Sequence, residues 1–179
     1  MKKGTSMNNI IIRDVRIEDV HEMSVVRKKV WNTTYRGIYS DQAIDNFDYE
    51  RAKERFKSYI DRPNTLFKVA LHNNKIIGYI CFSKDDKLYK DYEYVIKYLH
   101  ILKDYQGKGL GTTLFKEVLN YAKRNNIKKF YLSCNKYNYQ AQRFYEKMGG
   151  KKDHIDMDLD DRAKEQIIYI YRIGVSGND

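Results

Sequence analysis

A glycine-rich stretch, Gln106-Gly107-Lys108-Gly109-Leu110-Gly111-Thr112, joins an apolar segment to an amphipathic one. Glycines at alternate positions let a backbone turn sharply with its amides facing outward. The next segment has the apolar spacing of a helix, whose first turn supplies unpaired N–H groups and the positive end of the helix dipole. These features predict a binding site for an anionic group, and a pyrophosphate is the simplest candidate.

The spacing of these glycines excludes two well-known phosphate loops. A Rossmann loop has glycine at its first, third and sixth positions, but the sixth position counted from Gly107 is Thr112. A P-loop has a glycine five residues before its Gly-Lys pair, where this chain has Leu102. A different phosphate loop and a tight turn without a ligand both remain open.

A second motif follows the first, Asn138-Tyr139-Gln140-Ala141-Gln142-Arg143-Phe144-Tyr145-Glu146-Lys147-Met148-Gly149-Gly150. It has an Asn to open a helix, then Ala, then Phe-Tyr and a closing Gly. This motif and the pattern Gln106-x-x-Gly109-x-Gly111, in this order and separation, resemble the two acetyl-CoA motifs of the GNAT N-acetyltransferase superfamily. The resemblance covers about residues 10 to 173.

Hydrophobic periodicity and turn signals predict the elements that must position these motifs. A hairpin is expected around His72-Asn73-Asn74, because Asn tolerates the positive φ of a tight turn. Pro63 is expected to limit the helix before it. The predicted strands are 10–15, 65–71, 75–83, 93–102, 130–134, 150–156 and 166–173. The predicted helices are 18–31, 50–60, one beginning near Leu110 and one after Asn138.

The resemblance implies an α+β fold with a central, mostly antiparallel seven-stranded sheet flanked by four helices. The length of 179 residues is enough for one core, and the chain has no repeat or low-complexity linker. We therefore expect one domain over residues 10–173, with flexible segments at 1–9 and 174–179.

The resemblance also assigns roles to individual residues. Tyr145 would protonate the departing thiolate, since a phenol holds its proton at neutral pH. An amide near Ile101 would polarise the thioester carbonyl, and Asn138 would cap the last helix. The residues expected to bind acetyl-CoA are Ile101, Leu102, Gln106, Gly107, Lys108, Gly109, Leu110, Gly111, Thr112, Asn138, Phe144 and Lys147.

The general base is not evident from the sequence. Many members of the superfamily have a glutamate in the fourth strand or in the fifth, where this chain has Lys97 and Ser133. Glu93 and His100, acting through a water chain, are the candidates. An amine that arrives partly neutral would need no dedicated base.

Two segments are candidates for the acceptor site. One is the aromatic run between the first two helices, from which Trp31, Tyr35 and Tyr39 would contact substrate, although core packing explains Trp31 equally well. The other is the acidic run from Asp153 to Asp161, in which Asp156 would favour a cationic acceptor unless the run is only a solvated connection.

Composition restricts the function classes. The net charge of +10 and the 17 tyrosines are compatible with nucleic-acid binding, but the charge is scattered and no nucleic-acid motif accompanies it. No apolar run is long enough to cross a membrane. Cys81 and Cys134 fall in predicted strands as two reduced buried thiols, which indicates the cytoplasm, and no metal-ligand spacing is present.

The sequence thus predicts an N-acetyltransferase that moves an acetyl group from acetyl-CoA directly to a primary amine. The acceptor would be a small-molecule or peptide amine, and the protein would be a monomer or homodimer. A non-catalytic acyl-CoA sensor and a basic nucleic-acid-binding module are the alternatives.

Overall fold

The computed structural model describes residues 9–158 and 160–174. The segments predicted to be flexible, 1–9 and 174–179, lie outside the described residues except for Asn9 and Gly174. Seven strands form one sheet in the order β1-β2-β3-β4-β5-β7-β6. They are β1 (Ile10–Asp14), β2 (Thr65–His72), β3 (Lys75–Tyr89), β4 (Tyr92–Ile101), β5 (Lys129–Asn135), β6 (Lys151–Asp156) and β7 (Gln166–Arg172).

Neighbouring strands are antiparallel except β4 and β5, which are parallel. The mostly antiparallel seven-stranded sheet predicted from the sequence is therefore confirmed. The predicted two-residue turn is also present, because Asn73 and Asn74 have φ values of 51° and 60° between the paired residues His72 and Lys75.

Five α-helices lie in the described part of the chain, one more than the sequence predicted. They are α1 (Val20–Thr34), α2 (Asp41–Asp45), α3 (Tyr49–Lys57), α4 (Leu110–Arg124) and α5 (Tyr139–Lys147). The additional helix is α2, which is capped by the Ser40 side chain on the Ala43 amide and buries only Ile44. One buried position gives no periodicity to recognise, so sequence patterning missed this helix.

The helices cover both faces of the sheet. On one face α4 buries Leu114, Phe115 and Val118 against the central strands. On the other face α1 and α3 bury Met23 and Phe56. Burial of each such side chain contributes about 1.5–3 kcal/mol, and these two layers hold the sheet between them.

The central strand β4 has an irregularity in its pairing with β3. Cys81 of β3 pairs with Tyr98, but its neighbour Phe82 pairs with Ile96, so Lys97 is an extra residue in β4. Such a bulge bends a strand and increases its twist. The register of β4 with β5 contains one residue pair, Val95 with Tyr131. Beyond this pair the two parallel strands separate.

Candidate active site

The separation of β4 from β5 opens a cleft with a volume of about 380 Å³. The ends of both strands line it, together with the first turns of α4 and α5 and the last turn of α1. This volume is in the range of small-molecule sites. The cleft also lies where two neighbouring parallel strands point their carboxyl ends, a usual position for ligand binding.

The glycine-rich loop, residues 106–112, lies at one end of the cleft. Gly107 and Gly109 have φ values of 69° and 88°, in the left-handed region that favours glycine, and Gly109 immediately precedes α4. Within the described part of the chain, the amides of residues 107–112 donate to no protein acceptor. The loop therefore presents a row of unused donors at the positive end of a helix, and a pyrophosphate fits these donors.

Side-chain contacts fix this loop to its neighbours. Gln106 donates from Nε2 to the Ile101 carbonyl oxygen at 2.8 Å and accepts at Oε1 from Gln140 Nε2 at 3.1 Å. A Cβ on Gly111 would lie 3.2 Å from the Phe144 ring, so glycine allows α4 and α5 to approach closely. The loop is thus held by β4 on one side and by α5 on the other.

The second motif forms α5 as the sequence predicted. The Asn138 Oδ1 accepts from the Ala141 amide at 3.2 Å, which confirms Asn138 as the helix cap. Asn138, Phe144 and Lys147 all line the cleft. The exposed Lys147 brings a positive charge to the same cleft as the glycine-rich loop.

Three of the predicted acetyl-CoA residues do not present side chains to the cleft. The Leu110 side chain is in the core, and Lys108 is exposed on the loop, so both can contribute their amides. Leu102 cannot, since its amide already donates to the Ile77 carbonyl at 2.9 Å. The prediction that Leu102 binds the donor is not supported by this position.

Ile101 lies where its amide could polarise a thioester carbonyl, as the resemblance implied. Successive amides of a strand point to opposite edges, and the Leu102 amide points towards β3. The Ile101 amide therefore points towards the open edge of β4, which lines the cleft. An N–H at this edge can stabilise negative charge on a carbonyl oxygen.

Tyr145 lies in the cleft between α5 and β5. The residue is buried, with 9% of its surface exposed, and its hydroxyl bonds to no side chain or backbone group of the described residues. Burial raises the pKa of the Tyr145 hydroxyl well above its ordinary value. The phenol therefore holds its proton at neutral pH and has a free hydrogen bond to give.

His100 also lines the cleft, with its ring against Tyr79. Tyr79 is fully buried, and within the described residues its hydroxyl contacts only His100 Nδ1, at 2.6 Å. Burial raises the pKa of Tyr79 as well, so its hydroxyl donates to Nδ1 and the neutral imidazole carries its proton on Nε2. His100 is therefore a hydrogen-bond donor towards the cleft.

Burial, together with the charge of nearby Arg27, lowers the pKa of His100 to about 3. We expect NMR titration to find the imidazole neutral at pH 5, with the proton on Nε2. Because the unfolded chain would protonate this residue below its ordinary pKa of 6.5, His100 should destabilise the fold progressively as pH falls from 6.5 towards 3. A midpoint near 6.5 in the folded protein would contradict this expectation and restore His100 as a candidate base.

The two positions that hold glutamate in many relatives carry no base here. Lys97 lines the cleft, and its ammonium pairs with Asp85 Oδ1 at 2.7 Å. Asp85 also accepts from the Tyr131 hydroxyl. Although burial opposes it, the Lys97 and Tyr131 bonds hold the pKa of Asp85 below its ordinary value. Ser133 lines the cleft without a titratable group.

Glu93, a sequence-predicted base, lies away from the cleft. It is exposed on β4 and pairs with Lys84 at 2.9 Å. Glu93 is not one of the residues that line the cleft, so the structure does not support a role for Glu93 in proton transfer. Sequence periodicity could not show this, because the bulge at Lys97 changes which way the residues of β4 point.

Of the predicted acceptor residues, Tyr35 alone lines the cleft. Its ring stacks on Tyr39 at 5.1 Å, and Trp31 packs beside both at 5.8 and 5.7 Å. Tyr39 reaches the cleft indirectly, through the 3.3 Å hydrogen bond that it accepts from Asn135. Trp31 therefore supports the aromatic cluster, the packing role that its sequence also allowed.

The acidic run does not line the cleft. Asp156 is exposed on the edge strand β6. Asp153 is paired with Lys90 and Tyr89, each at 2.5 Å, and Asp158 and Asp161 accept from nearby backbone amides. The structure thus gives no support to Asp156 as an acceptor contact.

Comparison with known proteins identifies the family. A family model described as the Acetyltransferase (GNAT) family matches residues 31–150, which include both motifs and the cleft-lining ends of β4 and β5. The chain belongs to this family. The resemblance seen in the sequence is thereby confirmed, and with it the prediction that the protein is an N-acetyltransferase.

Individual relatives agree with this family. The spermidine N(1)-acetyltransferase of Thermoplasma acidophilum is 29% identical over 153 residues, which cover 83% of this chain and 92% of the relative. The crystal structure of the PaiA N-acetyltransferase of Thermoplasma acidophilum in complex with coenzyme A is 26% identical, with a TM-score of 0.78 over 92% of this chain and 99% of that one. The Escherichia coli ribosomal-protein-S18-alanine N-acetyltransferase shares the fold, with a TM-score of 0.69 over 96% of this chain and 98% of that one at 16% identity.

In residues 9–158 and 160–174, no three His, Cys, Asp or Glu side chains are grouped so that they could hold a metal ion. The same residues contain no helix with the length and apolar character that spanning a membrane requires. Cys81 and Cys134 are both buried free thiols, as the sequence predicted.

Proposed function

We propose that this N-acetyltransferase transfers an acetyl group directly from acetyl-CoA to a primary amine held in the same cleft. The observation that carries the proposal is that the glycine-rich loop, with the unused amides of residues 107–112, lines the same cleft as Tyr145, whose hydroxyl has no partner among the described residues. The first group fits a pyrophosphate and the second fits a departing thiolate. Acetyl-CoA supplies the acetyl group as a thioester.

Cofactor binding, carbonyl polarisation and protonation of the thiolate each have a candidate group in the protein. The amides of residues 107–112, with the charge of Lys147, hold the phosphates. The Ile101 amide donates to the carbonyl oxygen as negative charge develops on it, and Tyr145 gives its proton to the sulfur. The acceptor amine attacks the acetyl carbon and releases its proton to water, because Asp85 is already paired with Lys97 and His100 has its proton on Nε2.

The test of this function is release of free thiol from acetyl-CoA in the presence of a panel of primary amines. We expect amine-dependent thiol release and an acetylated product. Binding of acetyl-CoA without release under every condition would favour a non-catalytic sensor. Binding of nucleic acid without affinity for acetyl-CoA would favour the nucleic-acid module.

Direct transfer can be separated from a route through an acetylated enzyme. Cys134 is the cleft-lining thiol among the described residues, and burial raises its pKa to about 12, so it is a thiol and not a nucleophilic thiolate at neutral pH. We expect the mass of the protein to be unchanged after incubation with acetyl-CoA alone, and Cys134→Ala to keep near wild-type turnover. A stable increase of one acetyl group that the Cys134→Ala variant lacks would contradict direct transfer.

The buried free thiols also support our proposal that the protein acts in the reducing cytoplasm. The acceptor class proposed from the sequence, a small-molecule or peptide amine, fits the open end of the cleft beside Tyr35.

A further inference from the structure

Arg27 is a half-buried arginine of α1 that pairs with no carboxylate of the described residues. Its Nε is buried and has no hydrogen-bond partner there. Three other arginines of the described residues form ion pairs, namely Arg13 with Asp19 at 2.7 Å, Arg36 with Asp45 at 2.6 Å, and Arg62 with Asp86. Among the described residues, Arg27 Nε is thus the buried side-chain donor that has no hydrogen-bond acceptor.

The surroundings of the Arg27 guanidinium are aromatic. It lies 5.2 Å from the ring centre of Tyr98, 5.7 Å from Trp31 and 5.9 Å from Phe56. Ring faces attract a cation, and the Tyr98 hydroxyl is close enough to the guanidinium to accept from it, but Nε has no acceptor among the described residues. The guanidinium keeps donors that these rings leave unused.

The position of Arg27 connects it to the cleft. Tyr98 and His100 both line the cleft, and Val30, nearly one helical turn after Arg27, lines it as well. Burial raises the pKa of Tyr98 and lowers that of His100, and the charge of Arg27 opposes the first change and adds to the second, which follows from its closeness to both rings. Arg27 thus lies behind the part of the cleft away from the glycine-rich loop.

Two further side chains of the cleft, His100 and Lys97, present hydrogen-bond donors. His100 presents Nε2–H, and Lys97 presents an ammonium whose charge Asp85 balances. None of the cleft-lining residues in the described part of the chain is an aspartate or glutamate. A cationic acceptor would find no anion among these lining residues, whereas a negative oxygen would be attracted towards the guanidinium of Arg27, which lies behind Tyr98 and His100.

We propose that the acceptor carries a carboxylate in addition to its amine, and that Arg27 binds this carboxylate. The inference rests on the proposed acetyl transfer and names its substrate class. Guanidinium and carboxylate match in shape and charge, so the pair would orient the amine towards the thioester. Arg27 is then a residue that determines specificity and does not take part in the chemistry.

The experiment compares amines of matched length that differ in the group at the far end. One series is 4-aminobutyrate, 4-amino-1-butanol and 1,4-diaminobutane, and a shorter one is glycine, ethanolamine and 1,2-diaminoethane. Spermidine is included because it is named in the relative from Thermoplasma acidophilum. We expect the carboxylate member of at least one series to have the largest kcat/KM, by about 10-fold or more over its neutral partner.

Two variants assign this preference to Arg27. Arg27→Met keeps most of the apolar stem and removes the charge, and it should lower the carboxylate-to-alcohol ratio of kcat/KM by about 10- to 100-fold. Arg27→Lys should restore part of that ratio. Lys29→Met removes one charge from an exposed position of the same helix, and it should leave the ratio unchanged.

Each other outcome overturns the inference. If Arg27 only supports packing, Arg27→Met lowers stability or all kcat/KM values together and the ratio stays constant. A weaker Kd for acetyl-CoA in Arg27→Met would assign Arg27 to the donor, and a preference for diamines or spermidine would assign the cleft to cations. Thiol release with only the amino alcohols or the diamines refutes this inference and leaves the proposed acetyl transfer intact. Absence of thiol release with every amine tested refutes the proposed function itself.

Discussion

Replacement of Tyr145 by phenylalanine lowers kcat by about 100-fold and changes the Kd for acetyl-CoA by less than about twofold. The substitution removes one hydroxyl that has no partner among the described residues and keeps the ring, which packs near Phe144 and Tyr169. The leaving thiolate must then take its proton from water. Steady-state kinetics and calorimetric titration with acetyl-CoA measure the two quantities.

The control for this prediction is Tyr139→Phe on the same helix. Tyr139 is 60% exposed, so the loss of its hydroxyl should leave both kcat and Kd near the wild-type values. Wild-type turnover in Tyr145→Phe would show that water or another group protonates the thiolate. A large rise in Kd would show that the hydroxyl contributes to binding instead.

Substitution of Gly109 by valine should raise the Kd for acetyl-CoA by about 100-fold or more. At φ 88° a β-branched residue is strained, so the loop must change shape and its amides no longer converge. Loss of two charge-assisted bonds of about 1.5–3 kcal/mol each accounts for this change in affinity. Isothermal titration calorimetry on the folded variant measures it.

Gly149→Val is the matched control for strain. Gly149 has φ 93° at the end of α5, and a Cβ there, as at Gly109, has no atom within 4 Å. Both variants should lose similar stability, but Gly149→Val should keep the wild-type Kd. Equal affinities in the two variants would show that the loop amides do not bind the donor.

The sequence did not show which charged residues lie close to the cleft. The run from Asp153 to Asp161 stood out because the chain is basic, and charge contrast alone predicted a cationic substrate. In the folded protein, Asp156 is exposed on the edge strand β6, and Asp153 forms an ion pair with Lys90. Arg27, from which we infer a negatively charged group on the acceptor, could not be singled out in the sequence. An arginine within an amphipathic helix ordinarily lies on the helix surface.

The sequence by itself determined the family, the order of the strands and the main helices, and the local geometry at Gly109, Gly111 and Asn138 on which the proposed binding depends. Local chemistry suffices for these, because glycine spacing, a capping Asn and apolar periodicity act over a few residues. The sequence also contained the correct alternative for Trp31. It could not give the directions in which the residues of β4 point, because these depend on the bulge at Lys97.

Only the tertiary structure decided which charges remain available in the cleft. Asp85 comes to Lys97 from the long extension of β3, and Tyr79 comes to His100 from the middle of the same strand. These partners are separated by 12 and 21 residues along the chain, and burial decides how strongly each pair changes a pKa. No local pattern encodes such pairs, since they exist only after β3 and β4 have joined in register.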